Sequence, residues 1–472
     1  MKSTLLFRLL ALIICFLSSA GASAQGLPPP FATELDREGI PAEAAGVLVQ
    51  EVGSTRPIIS ANADVPFHPA STMKLVTTYA ALELLGPAHT WKTQAFANGQ
   101  LVGDVLFGDL IIKGGGDPRL VLENFWLFLR QIRASGIREI KGNLLLDRSV
   151  FEQTPYDSPS FDGKPLSPYN ALPDALLLNH KAIRVRFIPD GLARKVRIEF
   201  DPAFSDYPVL PPQLADGECG DWKNRIMVRL GDEGARFGGD YALACGEQSW
   251  LIHPYQMTNT YYFGGLFRQI WRELGGKFTG NVRDGKLPPN ARLVAEWNSP
   301  PLADVVRDIN KYSNNVMARQ LLLSMAALTY NQPATPERGA QVIKNWLSLK
   351  GIPTAGLYID NGSGLSREER IPASTMARLL AAAYASPVMP EFISSLPIAG
   401  SDGTMRRRLK DADIAGKAHI KTGSINGVRS IAGYVLAASG KRYLVVCMIN
   451  HPNADQSRTA QDALLKWVYA NG

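Results

Sequence analysis

Nothing in this 472-residue chain has the spacing of a metal site. Its six His residues are scattered, and no His or Cys pair shows the separation that zinc ligands use. No cofactor is expected. No run of Lys and Arg is interleaved with aromatics, which excludes a nucleic-acid footprint. Arg406-Arg407-Arg408 is too short for one and reads as a solvated helix face. The triple glycine at 114–116 lacks the Gly-Lys-Ser/Thr that a phosphate loop needs, so it reads as turn geometry. Internal repeats and long low-complexity segments are absent, and beyond residue 24 no stretch is apolar for long enough to cross a bilayer. Cysteine is scarce, with four residues in all.

The first residues carry an export signal. Lys2 and Arg8 supply its positive end, Leu9 to Leu17 its apolar run, and Ala22-Ser23-Ala24 a small-x-small cleavage site. A periplasmic protein beginning at Gln25 is expected. Removing 24 of 472 residues leaves 448, and removing two positive charges from +7 leaves +5. That mild basic bias favours an anionic polymer or a weak association with a membrane surface. The length asks for two or three domains.

Cys15 leaves with the signal. Cys219 and Cys245 lie in Gly-rich, loop-like sequence and can close a 26-residue loop, so a disulfide is expected in an oxidising compartment. Cys447 sits in the apolar run Tyr443 to Ile449 and reads as a buried free thiol.

Gly46 to Glu51 and Ile58 to Ala61 read as strands, followed by a helix from Ser71 through Leu85. Later, Leu302 to Leu328 and Arg338 to Leu349 are helical. Ser430 to Ala437 and Tyr443 to Ile449 form a hairpin, and Asp455 to Tyr469 closes as an amphipathic helix. This order suggests an antiparallel sheet covered by helices, in which the two ends of the chain meet. The middle reads as inserted: strands at 108–112 and 142–147, a helix at 124–134, and a Gly- and Pro-rich β module around 196–248.

Ser71-Thr72-Met73-Lys74 is the only place where a Ser precedes a Lys by three residues. Helical residues i and i+3 share a face, so the amine can reach the hydroxyl. A serine becomes nucleophilic when a neighbour takes its proton, and a lysine with a depressed pKa can do so. Ser313-Asn314-Asn315 and Lys421-Thr422-Gly423 follow in order. Tyr312-Ser313-Asn314 offers a second register for the middle motif; Ser313 with Asn315 is preferred. On a strand, Lys421 and Gly423 share a face, and Gly423 lets a substrate backbone approach. The N–H groups of Ser71 and Ser424 can then form an oxyanion hole. Pro372-Ala373-Ser374-Thr375-Met376 repeats the residues around Ser71 but has Ala377 in place of a lysine, so Ser374 reads as a helix N-cap.

With Pro69-Ala70, Gly-Gly-Gly-Asp-Pro at 114–118, Tyr169 to Pro173, Asp360 to Arg367, Ala399 to Thr404 and Lys421 to Ser424, these motifs resemble the class C low-molecular-mass penicillin-binding proteins. That is the D-alanyl-D-alanine carboxypeptidase/endopeptidase family. The resemblance covers nearly all of the chain beyond the signal. It implies an α/β (α+β) transpeptidase-like fold: an antiparallel sheet flanked by helices plus a helical subdomain, with nested inserted β-rich domains. The division is 25–92 with 292–472 for the catalytic domain, 93–192 with 253–291 for the second, and 193–252 for the third. It implies a serine peptidase acting on peptidoglycan stem peptides and inhibited covalently by β-lactam antibiotics. Ser71, Lys74, Ser313, Asn315 and Lys421 would be catalytic, with Thr422, Gly423 and Ser424 binding substrate. Arg367 and Asp162 would stand at the substrate's diamino-acid end, with Asn426 where some members have Gln. A β-lactamase and a non-catalytic wall-binding protein are the alternatives.

Overall fold

The computed structural model describes residues 26–153 and 161–472; the expected export signal lies outside them. The two ends of the chain meet in a five-stranded antiparallel sheet. Its order is Ala418–Ile425, Val428–Leu436, Arg442–Asn450, Ala45–Glu51, Pro57–Ala61. The side-chain period of two explains why its central strands are apolar throughout. Leu48, Tyr434, Leu444, Val446 and Met448 face one core, which includes the helices Met73–Leu85, Leu302–Tyr312, Asn315–Tyr330, Pro336–Leu349 and Ala373–Tyr384. Val47, Val49, Val445, Cys447 and Ile449 face the other, closed by Pro29–Arg37 and Arg458–Asn471. Cys447 is a buried free thiol there.

A seven-stranded sheet is built on the hairpin Lys92–Val102 and Val105–Gly114. The helices Leu122–Ala134 and Asn259–Glu273 pack against it through Phe125, Phe128, Leu129, Phe263 and Phe267. Its edge strand is Arg292–Asn298, paired with Lys92–Ala97. Residues 292–298, expected in the catalytic domain, belong by this ladder to the inserted sheet. Likewise Ile183–Asp190, placed at the end of the second domain, pairs with Lys195–Asp201 and Gln248–Ile252. Next to that three-stranded sheet lies a small four-stranded one, and Cys219 is bonded to Cys245. Among the described residues no helix is long and apolar enough to cross a membrane.

Three local expectations need correction. The single helix over 302–328 is two, because Ser313 takes a left-handed conformation (φ +56°) that ends the first, and the Asn314 side chain caps the second. Ser374 is no N-cap: the helix begins at Ala373 after Pro372, and the Ser374 N–H donates to the carbonyl of Ala63. Arg406 to Arg408 lie in turns, not on a helix face, and Arg408 is buried against Asp462 of the last helix.

Candidate active site

Ser71 lies in the short 3-10 turn Ala70–Thr72 that leads into the helix Met73–Leu85. Ala70 has a positive φ of 44°, a conformation that costs a non-glycine residue about 1–2 kcal/mol. Its neighbours hold it there. The Ala70 N–H donates to Nδ1 of His68 at 2.9 Å, and Nε2 of His68 meets the Ser366 carbonyl at 2.8 Å. This fixes the proton on Nε2. Burial, with the charges of Arg370 and Arg367 adding to it, pushes the His68 pKa down to about 4, so the ring stays neutral. Thr72 and Ser430 both donate to the carbonyl of Pro69.

Two glycines let other segments press against this turn. A Cβ on Gly364 would meet the Ala70 carbonyl and lie 2.7 Å from the Ser71 nitrogen; one on Gly423 would meet Ser430 Oγ and lie 2.8 Å from the same nitrogen. Gly364 also has φ +81°. Gly364→Ala is therefore expected to destabilise the protein by at least about 2 kcal/mol in chemical denaturation. An unchanged midpoint would show that the contact is soft.

Lys74 is fully buried. Its Nζ lies 2.9 Å from Ser71 Oγ and 2.6 Å from Asn315 Oδ1, and it also contacts the Ser363 carbonyl. The last two partners can only accept hydrogen bonds. A neutral amine has two N–H groups and one lone pair, so spending both N–H groups on those acceptors aims the lone pair at the Ser71 hydroxyl. Burial first, then the charge of Lys421, lowers the Lys74 pKa well below the ordinary lysine value. Arg319 adds to the lowering and Glu369 opposes it.

Lys421 is also fully buried, and burial lowers its pKa to about 7. Its Nζ is 2.9 Å from Ser313 Oγ and 2.6 Å from the Thr422 carbonyl. Ser313 thus belongs to Lys421, and Asn315 to Lys74. Asn314 caps a helix and Tyr312 is exposed, so the Ser313/Asn315 register is the one that faces both lysines. Lys421 and Gly423 share one strand face, opposite Ala432 and Ser430. Thr422 Oγ1 meets Thr404 Oγ1 at 2.8 Å, and Ser424 is exposed.

Arg367 and Asn426 mark one end of the site. The Arg367 guanidinium lies 5.0 Å from the Phe161 ring centre, and Nη1 donates to the Asn426 carbonyl at 3.2 Å. Asp162 follows Phe161 and accepts from the Tyr169 hydroxyl, the Asn170 amide and the Lys164 N–H. Burial alone would raise its pKa; these hydrogen bonds outweigh it and lower the value. The disulfide Cys219–Cys245 belongs to the small β module and supplies no group to this cluster.

Glu369, His68 and Arg319 lie at the site but outside its three motifs. Glu369 is fully buried; Oε1 accepts from the N–H groups of Asn361 and Gly362, while Oε2 has no partner among the described residues. Burial, then the charge of Asp360, raises its pKa to about 7. Its setting, Arg367-Glu368-Glu369-Arg370, looks like solvated surface, so no local signal betrays it. Arg319 did leave one: it follows Asn315 by four residues on one helix and shares its face.

A family model described as the D-Ala-D-Ala carboxypeptidase 3 (S13) family matches residues 31–471. A D-alanyl-D-alanine carboxypeptidase from an Actinomadura species is 26% identical over 94% of this chain and 85% of its own length. The D-alanyl-D-alanine carboxypeptidase DacB of Haemophilus influenzae is 26% identical over 86% of this chain and 85% of its own. The crystal structure of penicillin binding protein 4 (dacB) from Haemophilus influenzae superposes with a TM-score of 0.78 at 25% identity, covering 92% of this chain and 99% of that one.

Proposed function

The chain belongs to the D-Ala-D-Ala carboxypeptidase 3 (S13) family, and on that footing we propose that it hydrolyses D-alanyl bonds of peptidoglycan stem peptides through an acyl-enzyme on Ser71. The observation that carries the proposal is the three-way contact of buried Lys74: once neutral, its amine spends both N–H groups on Asn315 and the Ser363 carbonyl and keeps its lone pair for the Ser71 proton. Ser71 Oγ attacks the D-alanyl carbonyl as Lys74 takes its proton. The N–H groups of Ser71 and Ser424 receive the oxyanion. Ser313, in contact with Lys421, passes a proton to the leaving amine, and Asn315 orients the substrate amide while holding Lys74. Lys421, Thr422 and Ser424 receive the carboxylate next to the scissile bond. Water then cleaves the ester by the same route in reverse. Arg367, Asp162 and Asn426 receive the diamino-acid end of the acyl half. β-Lactams would acylate the same oxygen, and the site of action would be the periplasm.

The test is digestion of purified cross-linked and uncross-linked muropeptides, with products identified by mass, alongside incubation with benzylpenicillin. Loss of D-alanine or opening of cross-links is expected, with a penicilloyl adduct on the peptide that contains Ser71. Folded protein that yields neither product and no adduct would refute the proposal.

The acid limb of acylation should follow Lys74, which must be neutral to accept the proton. Above its own pKa of about 7 the Glu369 carboxylate favours the charged form of Lys74 and so raises its pKa. Glu369→Gln removes that attraction, so the limb is expected to move to lower pH. The pH dependence of penicillin acylation reads this directly; a limb that moves upward would show that Glu369 acts otherwise.

A further inference from the structure

Beside the strand that carries Lys421 to Ser424 lies a cavity of about 810 Å³. Arg406, Arg407, Arg408, Arg429 and Arg458 line it, together with Gln461. Two of these guanidinium groups have carboxylate partners: Arg408 with Asp462 at 2.5 Å and Arg429 with Asp455 at 3.3 Å. The one acid in the wall, Asp402, is held by Lys311 at 2.6 Å. Arg406, Arg407 and Arg458 are exposed and have no carboxylate partner among the described residues. Burial first, and then the like charges of Arg458 and Arg429, oppose the Asp462 attraction and lower the Arg408 pKa. Gln461 is 2% exposed, and its amide nitrogen finds no acceptor among the described residues. Three guanidinium groups and a spare buried donor in this wall are left without a matching anion.

The position of the cavity decides what that anion is. Thr404, Thr422, Gly423 and Ser424 are also part of its wall, so its occupant touches the reacting peptide. Gly423 packs against the Ser71 nitrogen, and Asn426, three residues further along, meets Arg367 at the acyl end. Thr422 and Ser424, which on the reading above receive the carboxylate next to the scissile bond, are in its wall, so the cavity adjoins the leaving half.

We propose that this cavity binds the carboxylates of the leaving half of the substrate, and that its preferred leaving group is a peptide bearing two or more carboxylates, as the released strand of a cross-link does. The inference rests on the Ser71 peptidase reading above. Free D-alanine has one carboxylate, next to the scissile nitrogen, which Thr422 and Ser424 already meet. It cannot extend to three unpaired arginines. Guanidinium forks match carboxylates in bidentate fashion, so a longer acidic leaving strand can use them. The bond broken is the amide of the proposed hydrolysis, with water as the only co-reactant.

Two synthetic substrates test this. They share the acyl half and the carboxylate next to the scissile nitrogen, and differ in whether two further carboxylates of the leaving peptide are free or amidated. The protein is expected to prefer the free acid by about tenfold or more in kcat/KM, a preference that shrinks with added salt. The triple variant Arg406→Gln/Arg407→Gln/Arg458→Gln is expected to reduce it below about threefold. Labelling by a fluorescent penicillin reports that the variant is folded. If it does not fold, Arg458→Gln alone carries the test and should lower the preference at least about twofold. Equal cleavage of both substrates, or a preference that survives the substitutions, overturns the proposal and leaves the Ser71 reading intact. Cleavage of neither substrate overturns that reading, and this proposal with it.

Discussion

Ser71→Ala is expected to reduce D-alanine release by about 10⁴-fold or more and to abolish the penicillin adduct, with little effect on the fold. The size follows from covalent catalysis. Without Oγ no acyl-enzyme forms, and only substrate binding and the oxyanion hole remain to help a direct attack by water. The small structural effect follows from the contacts of Lys74. Its Nζ loses one partner at 2.9 Å but keeps Asn315 Oδ1 and the Ser363 carbonyl. The turn around Ser71 is held by His68, Thr72 and Ser430, none of which uses the Ser71 hydroxyl. Stability should therefore change by about 1 kcal/mol or less. Release assays with a disaccharide-pentapeptide measure the first quantity, and denaturant unfolding the second. An alanine variant that still releases D-alanine at the parent rate would show that the nucleophile lies elsewhere.

The three motifs were legible because each is short and local: a Ser and a Lys three residues apart, a Ser-x-Asn and a Lys-Thr-Gly. Their order along the chain supplied the remaining specificity. The core strands were legible for a similar reason, since an unbroken apolar run such as Tyr443 to Ile449 is what a strand buried on both faces requires. What escaped depends on contacts between distant segments. Glu369 is buried where its loop turns back on Asn361 and Gly362, whose N–H groups it binds, and its local sequence is charged throughout. Arg408 reads as surface until the last helix brings Gln461 and Asp462 beside it. Arg292–Asn298 joins the inserted sheet because its ladder partner, Lys92–Ala97, lies about 200 residues earlier in the chain. Such pairing leaves no trace in strand periodicity. The left-handed Ser313 was equally hidden, since helical periodicity continues across it while the backbone does not.

Lys74→Met is expected to slow penicillin acylation by about 10³-fold or more while Ser71 remains in place. Methionine has nearly the length of lysine and fills the same buried space without a basic nitrogen. General-base assistance contributes about 10²–10⁴-fold on its own. Here the amine also supplies the hydrogen bond that positions Asn315, so the loss should fall toward the upper part of that range. The cost to the fold sits with the two acceptors left behind, the Ser363 carbonyl and Asn315 Oδ1, and should be about 1–3 kcal/mol. The same variant separates the two buried lysines. If Lys421 were the base, its pKa of about 7 would keep much of it neutral near neutrality, and removing Lys74 would relieve a like charge and leave acylation nearly intact. The geometry argues against that outcome, because Lys421 Nζ contacts Ser313 and the Thr422 carbonyl, whereas Lys74 alone of the two has a hydrogen bond to Ser71. Stopped-flow acylation of Lys74→Met beside Lys421→Met therefore decides which amine receives the proton: the collapse is expected in the first, and a rate set by it in the second would transfer the role.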